Sequence, residues 1–152
     1  MKKYEIVVIG GGPGGYVAAI RAAQLGKKVA IVEESLLGGV CLNWGCIPTK
    51  SLLKNAYVLD IIKNAGKYGI EIPKYEVHWD KVIQRSRNIS KRLNKGIEYL
   101  MNKNKIDFIN SRATIKDSNT ILINDKEELK TDFIILATGT IQRNIPNLEI
   151  DG

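Results

Sequence analysis

Six consecutive residues, Gly10-Gly11-Gly12-Pro13-Gly14-Gly15, constrain this chain more than any other stretch. Ahead of them, Tyr4 to Ile9 carries Ile6, Val7, Val8 and Ile9 in succession, the pattern of a strand buried on both faces. Behind them, Tyr16 to Leu25 is rich in small residues (Ala18, Ala19, Ala22, Ala23) and reads as a helix stopped by Gly26. Lys28 to Glu33, with Val-Ala-Ile-Val at its centre, is a second buried strand. Strand, glycine turn, helix and strand form a βαβ unit, so the predicted class is α/β, Rossmann-like, with a parallel sheet.

The glycines at 10, 12 and 15 satisfy G-x-G-x-x-G in the context that gives the motif meaning. Gly10 permits the tight turn, Gly12 leaves room for a pyrophosphate against the backbone, and Gly15 lets the helix lie close on the strand. The helix N-terminus that follows offers free N–H groups to phosphate. Glu33 ends the second strand, where a carboxylate accepts hydrogen bonds from a ribose diol. This is a nucleotide site, and the fingerprint alone does not separate NAD from FAD.

The only two cysteines follow at once, in Cys41-Leu42-Asn43-Trp44-Gly45-Cys46-Ile47-Pro48-Thr49-Lys50. A zinc site needs further Cys or His ligands, and the single histidine, His78, is distant. A close pair in a reducing compartment favours redox chemistry. The segment from Glu34 to Gly45 reads as a loop, and a helix is predicted from about Cys46 to about Asn64. Cys46 then sits where a helix N-terminus lowers a thiol pKa. Lys50 is one turn on, on the same face, where its charge supports a thiolate. Cys41, in the loop, is the sulfur expected to exchange with a substrate dithiol.

Beyond Gly66, Gly69 and Pro73, the spacing of Val82, Ile83, Ile89, Leu93, Ile97, Leu100 and Met101 predicts a helix over 79–103. Ile106 to Asn110 reads as a strand. Ala113 to Ile115, Thr120 to Ile123 and Glu128 to Thr131 read as a small antiparallel meander with turns at 117–119 and 124–126. Phe133 to Ala137 reads as one more buried strand, running into Thr138-Gly139. The Pro-poor tail from Asn144 to Gly152 stops as if in the middle of an element.

With 44% apolar and 26% charged residues, the chain of 152 residues has the composition of an ordinary globular protein. No apolar run is long enough to span a bilayer. Met1 to Glu5 leads straight into the first strand with no secretory pattern, so a cytoplasmic location is expected, with no membrane association. The net charge is +7, but the lysines are scattered and accompany no aromatic-interleaved basic patch, so no nucleic-acid partner is expected.

Three segments carry a family resemblance. Val8-Ile9-Gly10-Gly11-Gly12-Pro13-Gly14-Gly15-Tyr16-Val17-Ala18-Ala19-Ile20 and Leu37-Gly38-Gly39-Val40-Cys41-Leu42-Asn43-Trp44-Gly45-Cys46-Ile47-Pro48-Thr49-Lys50 resemble the dihydrolipoamide dehydrogenases among the pyridine nucleotide–disulfide oxidoreductases. Ile134-Ile135-Leu136-Ala137-Thr138-Gly139 resembles the same family's second FAD fingerprint. The resemblance implies FAD held along Gly10, Gly12, Pro13, Gly14 and Gly15, at Glu33, near Gly39, Val40, Cys41, Cys46 and Lys50, at the Ala113 backbone, and at Ala137, Thr138 and Gly139. It implies a reaction in which protein-bound dihydrolipoamide reduces a Cys41–Cys46 disulfide, with electrons passing through flavin to NAD⁺. It also implies a homodimeric parent enzyme serving the lipoyl-bearing acyltransferase of a 2-oxoacid dehydrogenase complex. Ser111 stands where the family often has glycine, and Gln142 where it often has proline. The family's NAD-binding, FAD-return and dimerisation segments have no counterpart, so residues 1–152 are expected to be the N-terminal portion of an FAD-binding domain, inactive by itself. Alternative readings are a glutathione- or mercuric-reductase-like flavoenzyme and a stand-alone nucleotide-binding redox module.

Overall fold

Runs of β-branched residues place the first two strands at the centre of a sheet. The computed structural model describes residues 2–141 together with 143, 145 and 146. The elements are β1 (Lys3–Ile9), α1 (Pro13–Gln24), β2 (Val29–Glu33), α2 (Gly39–Asn43), α3 (Cys46–Lys63), α4 (Trp79–Lys103), β3 (Asp107–Asn110), β4 (Ala113–Asp117), β5 (Thr120–Ile123) and β6 (Glu127–Leu136), with a 3₁₀ turn at Ala65–Tyr68. The six strands lie in the order β3-β2-β1-β6-β5-β4. β3, β2, β1 and β6 run parallel, while β5 and β4 are antiparallel. The predicted α/β class with a parallel sheet and a meander is what the chain forms.

Alternation along the central strands fills two cores. Val8, Val29 and Ile31 pack on one face with Ala19 and Ala22 of α1 and with Ile97 and Met101 of α4. Val7, Ile9, Ala30 and Val32 pack on the other face with Ile121, Ile123 and Leu129 of the meander. One side of the sheet is therefore covered by helices and the other by the meander, which explains why β1 and β2 are apolar at consecutive positions.

Four local readings change. The first helix begins at Pro13, not Tyr16, because proline suits the first helical position and Gly14 and Gly15 continue the helix rather than break it. The 34–45 segment is not all loop: it contains α2, with Gly38 before it in the left-handed region at φ 101°. Asn43 holds that short turn, its side-chain amide donating to the Leu37 and Gly39 carbonyls at 2.9 and 3.1 Å.

The strands read separately at Glu128 to Thr131 and Phe133 to Ala137 are one strand, β6. Its polar centre fits because Thr131, buried, donates its hydroxyl to the Phe133 carbonyl at 2.9 Å, while Asp132 pairs at the surface with Lys3 at 3.0 Å. β6 thus joins meander and parallel sheet.

In α4 the inward stripe is Ser86, Ser90, Asn94, Ile97 and Met101. Leu93 and Leu100 of the expected apolar face are 40% and 37% exposed. Small polar residues replace large apolar ones where α4 crosses α2 and α3, and two of them, Ser86 and Asn94, supply donors to carbonyls there. The Asn94 amide donates to the Leu37 carbonyl at 2.5 Å, and the Ser86 hydroxyl reaches the Pro48 carbonyl at 3.5 Å. Gln142, and the tail from 144 onward apart from Ile145 and Pro146, lie outside the described residues.

The two readings of α4 differ in stability. Met101→Ala is expected to cost about 2–5 kcal/mol and Leu93→Ala no more than about 0.5 kcal/mol in urea denaturation. Equal losses would contradict the observed face.

Candidate active site and nucleotide cradle

The glycine turn is shaped by contacts that admit no side chain. Gly10 has φ 105°, and a Cβ there would stand 2.2 Å from the Ala137 carbonyl oxygen. A Cβ on Gly15 would stand 1.8 Å from the Gly10 carbonyl oxygen. These two approaches bring β1, α1 and the end of β6 together, and the Ala137 amide donates to the Ile9 carbonyl at 2.8 Å. Gly12 precedes Pro13 as the residue before α1. Gly39, at φ 68°, comes from the other side, and a Cβ on it would lie 3.0 Å from the Gly12 Cα. Val40 follows it, exposed, in α2.

Glu33 closes the turn from β2. The Gly11 amide donates to Glu33 Oε2 at 2.8 Å, and the Ser35 amide donates to Oε1 at 2.8 Å. The carboxylate is half-buried and fixed, not a freely solvated strand end. Beside it opens a cavity of about 300 Å³ lined by Gly10, Glu33, Glu34, Ser111, Arg112, Ala113 and Thr138, among others. Ala113 begins β4 opposite Ile123. Ala137, Thr138 and Gly139 follow β6, with Gly139 at φ 68°. Residues from four sequence regions thus meet at the C-terminal ends of β1, β2 and β6, where open α/β sheets bind ligands.

Cys41 and Cys46 are joined as a disulfide, with Cα atoms 4.7 Å apart. Cys41 lies in α2 rather than in a loop, and Cys46 is the first residue of α3. Both are exposed, so accessibility does not separate them as expected. Position does: only Cys46 sits at the start of an 18-residue helix, within reach of its unpaired N–H groups. Lys50 follows one turn later, exposed. Gly45 makes the short link possible, because a Cβ there would lie 3.1 Å from the Cys41 Cα.

α4 supports the cysteine segment from behind. Arg85 Nη1 donates to Ser51 Oγ at 2.8 Å, and Arg87 Nη1 donates to the Asn43 carbonyl at 3.4 Å. Asn43, Arg85 and Asn94 escaped the sequence reading. The short spacing of Asn43 between the cysteines was a usable signal, whereas the α4 partners are distant in sequence. A larger groove of about 650 Å³ runs between α3 and residues 75–82, and its lining includes neither cysteine nor any residue of the glycine turn.

The glycine contacts can be tested on the fold itself. Gly15→Ala is expected to destabilise the chain by at least about 2 kcal/mol, since the obstacle is backbone. Gly14→Ala meets nothing closer than the Ala137 Cβ at 3.9 Å and is expected to be neutral or stabilising. Thermal unfolding of the two variants with no cofactor added measures the difference, and equal melting points would contradict the geometry.

Comparison with known proteins agrees with this arrangement. The family described as pyridine nucleotide-disulphide oxidoreductase matches residues 4–152. The dihydrolipoyl dehydrogenase of Zymomonas mobilis is 47% identical over 153 residues, covering 98% of this chain and 33% of the relative. That of Acholeplasma laidlawii is 46% identical over 140 residues, covering 91% of this chain and 41% of the relative, and that of Bacillus subtilis is 42% identical over 152 residues, covering 97% and 33%. The chain thus spans between a third and two-fifths of the length of these curated relatives. A disulfide set beside a nucleotide-type glycine turn, with this match, places the chain in the pyridine nucleotide-disulphide oxidoreductase family.

Proposed function

We propose that residues 1–152 are the N-terminal portion of the FAD-binding domain of a dihydrolipoyl dehydrogenase. The observation that carries this reading is the Cys41–Cys46 disulfide at the start of α3, in a segment whose Gly39 packs against Gly12 of a glycine turn closed by Glu33. The cradle fits FAD in two respects. Gly12 and Gly39 leave a bare backbone where a pyrophosphate needs close approach, and the cavity between Glu33 and Ala113 suits an adenosine. Gly10, Gly12, Pro13, Gly14, Gly15, Glu33, Gly39, Val40, Ala113, Ala137, Thr138 and Gly139 would hold it, with Cys41, Cys46 and Lys50 nearest its redox end. Bound there, FAD would supply two-electron transfer between the dithiol and NAD⁺.

The chain's own chemistry is thiol–disulfide exchange. A thiolate of the reduced substrate attacks Cys41 Sγ, the Sγ–Sγ bond breaks, and Cys46 Sγ leaves as a thiolate. The second substrate thiolate attacks the substrate sulfur of the mixed disulfide and releases Cys41 Sγ. The substrate is now a disulfide, and the cysteine pair holds its two electrons. The N-terminus of α3 and the Lys50 ammonium favour the Cys46 thiolate.

The names of the relatives support dihydrolipoamide as substrate over a glutathione- or mercuric-reductase-like reaction, and the family's description supports a pyridine nucleotide as final acceptor, which we take to be NAD⁺. We assign the parent protein to the cytoplasm, as a homodimer working on the lipoyl-bearing acyltransferase of a 2-oxoacid dehydrogenase complex. No described helix is long and apolar enough to cross a membrane. α3 turns Leu53, Tyr57, Val58 and Ile61 outward, an apolar face of the kind that further chain or a second subunit covers.

Single serine variants of the full-length holoprotein test the roles of the sulfurs. Cys41→Ser and Cys46→Ser are both expected to abolish dithiol–NAD⁺ turnover. Only Cys41→Ser should keep a long-wavelength absorbance band at neutral pH, because it retains Cys46. Lys50→Met in that background should move the band's appearance to higher pH, since a thiolate that loses a cationic neighbour has a raised pKa. A band that survives Cys46→Ser and disappears in Cys41→Ser would reverse the assignment.

A further inference from the structure

The wall of the 300 Å³ cavity facing Glu33 is formed by Ser111, Arg112 and Ala113, between β3 and β4. No regular ladder secures Ser111 and Arg112. Instead, one residue from the distant β5–β6 turn holds them. The Asn124 amide donates to the Arg112 carbonyl at 2.9 Å, the Arg112 amide donates to Asn124 Oδ1 at 3.2 Å, and Asn124 Nδ2 donates to Ser111 Oγ at 3.3 Å. Main chain and both side-chain polar atoms of Asn124 are thus engaged with two consecutive wall residues.

The network continues to Glu33. The Ser111 amide donates to the Glu33 carbonyl at 3.0 Å, and Asn110 Nδ2 donates to the Glu33 and Ser35 carbonyls at 3.0 and 2.8 Å. Glu33 in turn fixes the Gly11 amide through its carboxylate. The two sides of the cavity are therefore connected by one hydrogen-bonded path from the glycine turn to the hairpin.

Asn124 suits this place for a second reason. It and Asp125 have φ 50° and 57°, and the Lys126 amide donates to the Ile123 carbonyl at 3.1 Å, so they are the central residues of a type I′ turn. Asparagine tolerates the left-handed region, and here its side chain does further work. Thr114 Oγ1 donates to Asp125 Oδ1 at 3.0 Å, which ties the same turn to β4.

We propose that Asn124 is a positioning residue for the adenosine end of FAD. It acts through Ser111 and Arg112 by setting the width of the cavity between them and Glu33, and this rests on the flavin reading above. Without its side chain the wall keeps a backbone bond but loses two others, and a cavity that must be ordered on binding takes its ligand more weakly.

The test compares Asn124→Gly and Asn124→Asp with wild type in the full-length protein. Glycine keeps the positive φ of the turn and removes both side-chain bonds. Aspartate keeps an acceptor for the Arg112 amide and loses the donor to Ser111. FAD dissociation, followed by flavin fluorescence on dilution, is expected to show about tenfold weaker binding for Asn124→Gly, equivalent to about 1.4 kcal/mol, and an intermediate value for Asn124→Asp. The melting temperature of the apoprotein should stay close to wild type. If Asn124→Gly binds FAD as wild type does, Asn124 serves only the turn and the proposal is overturned. If it lowers the apoprotein melting temperature as much as it weakens FAD, the role is general stability and the proposal is again overturned. A wild type that takes up no FAD contradicts the flavin reading itself, and the proposal with it.

Discussion

At Gly10 the ends of two strands and a helix come closer than any side chain allows. A Cβ on Gly15 would be 1.8 Å from the Gly10 carbonyl oxygen, and a Cβ on Gly10 would be 2.2 Å from the Ala137 carbonyl oxygen. This backbone contact sets where α1 starts relative to β1, and where β6 ends relative to both. The position of the helix N-terminus, of Glu33 and of the Ala137-Thr138-Gly139 segment follows from it. Its energetic cost is conformational, since glycine has the most freedom to lose on folding. The buried faces of β1 and β2 offset that cost, with Val7, Val8, Ala30 and Ile31 wholly inaccessible.

The cysteine segment depends on the same frame. Gly39 seats against Gly12, Leu37 fills the core beneath α1, and the Leu37 carbonyl accepts from both Asn43 and Asn94. The disulfide is thereby held at a fixed distance from the glycine turn by polar bonds to α2 and α4. Two modest structural devices, a glycine contact and a pair of buried asparagines, place the disulfide beside the glycine turn.

Much of this was legible in the sequence, for definite physical reasons. The βαβ unit announces itself because a strand buried on both faces needs an unbroken apolar run, and Gly10 and Gly15 have no other tolerable occupant. The disulfide follows from two cysteines with four residues between them, one of them glycine. What escaped depends on contacts between distant segments. Leu93 and Leu100 have the spacing of a core face, yet α4 turns Ser86 and Asn94 inward, where they donate to the carbonyls of Pro48 and Leu37. Asp132 reads as a strand break because the Lys3 pair that accommodates it is not local. The hold of Asn124 on Arg112 spans 12 residues and two strands, and no periodicity reveals it.

The central claim is that the first glycine turn holds a flavin beside a redox-active cysteine pair. Its most direct test is the absorbance spectrum of the purified full-length protein before and after addition of a dithiol, with fluorescence of the heat-released cofactor. A yellow protein whose spectrum gains a long-wavelength band on reduction, and whose cofactor fluoresces as flavin, is the expected result. A colourless protein that binds NAD at Gly10 to Gly15 and shows no spectral response to dithiol would contradict the account.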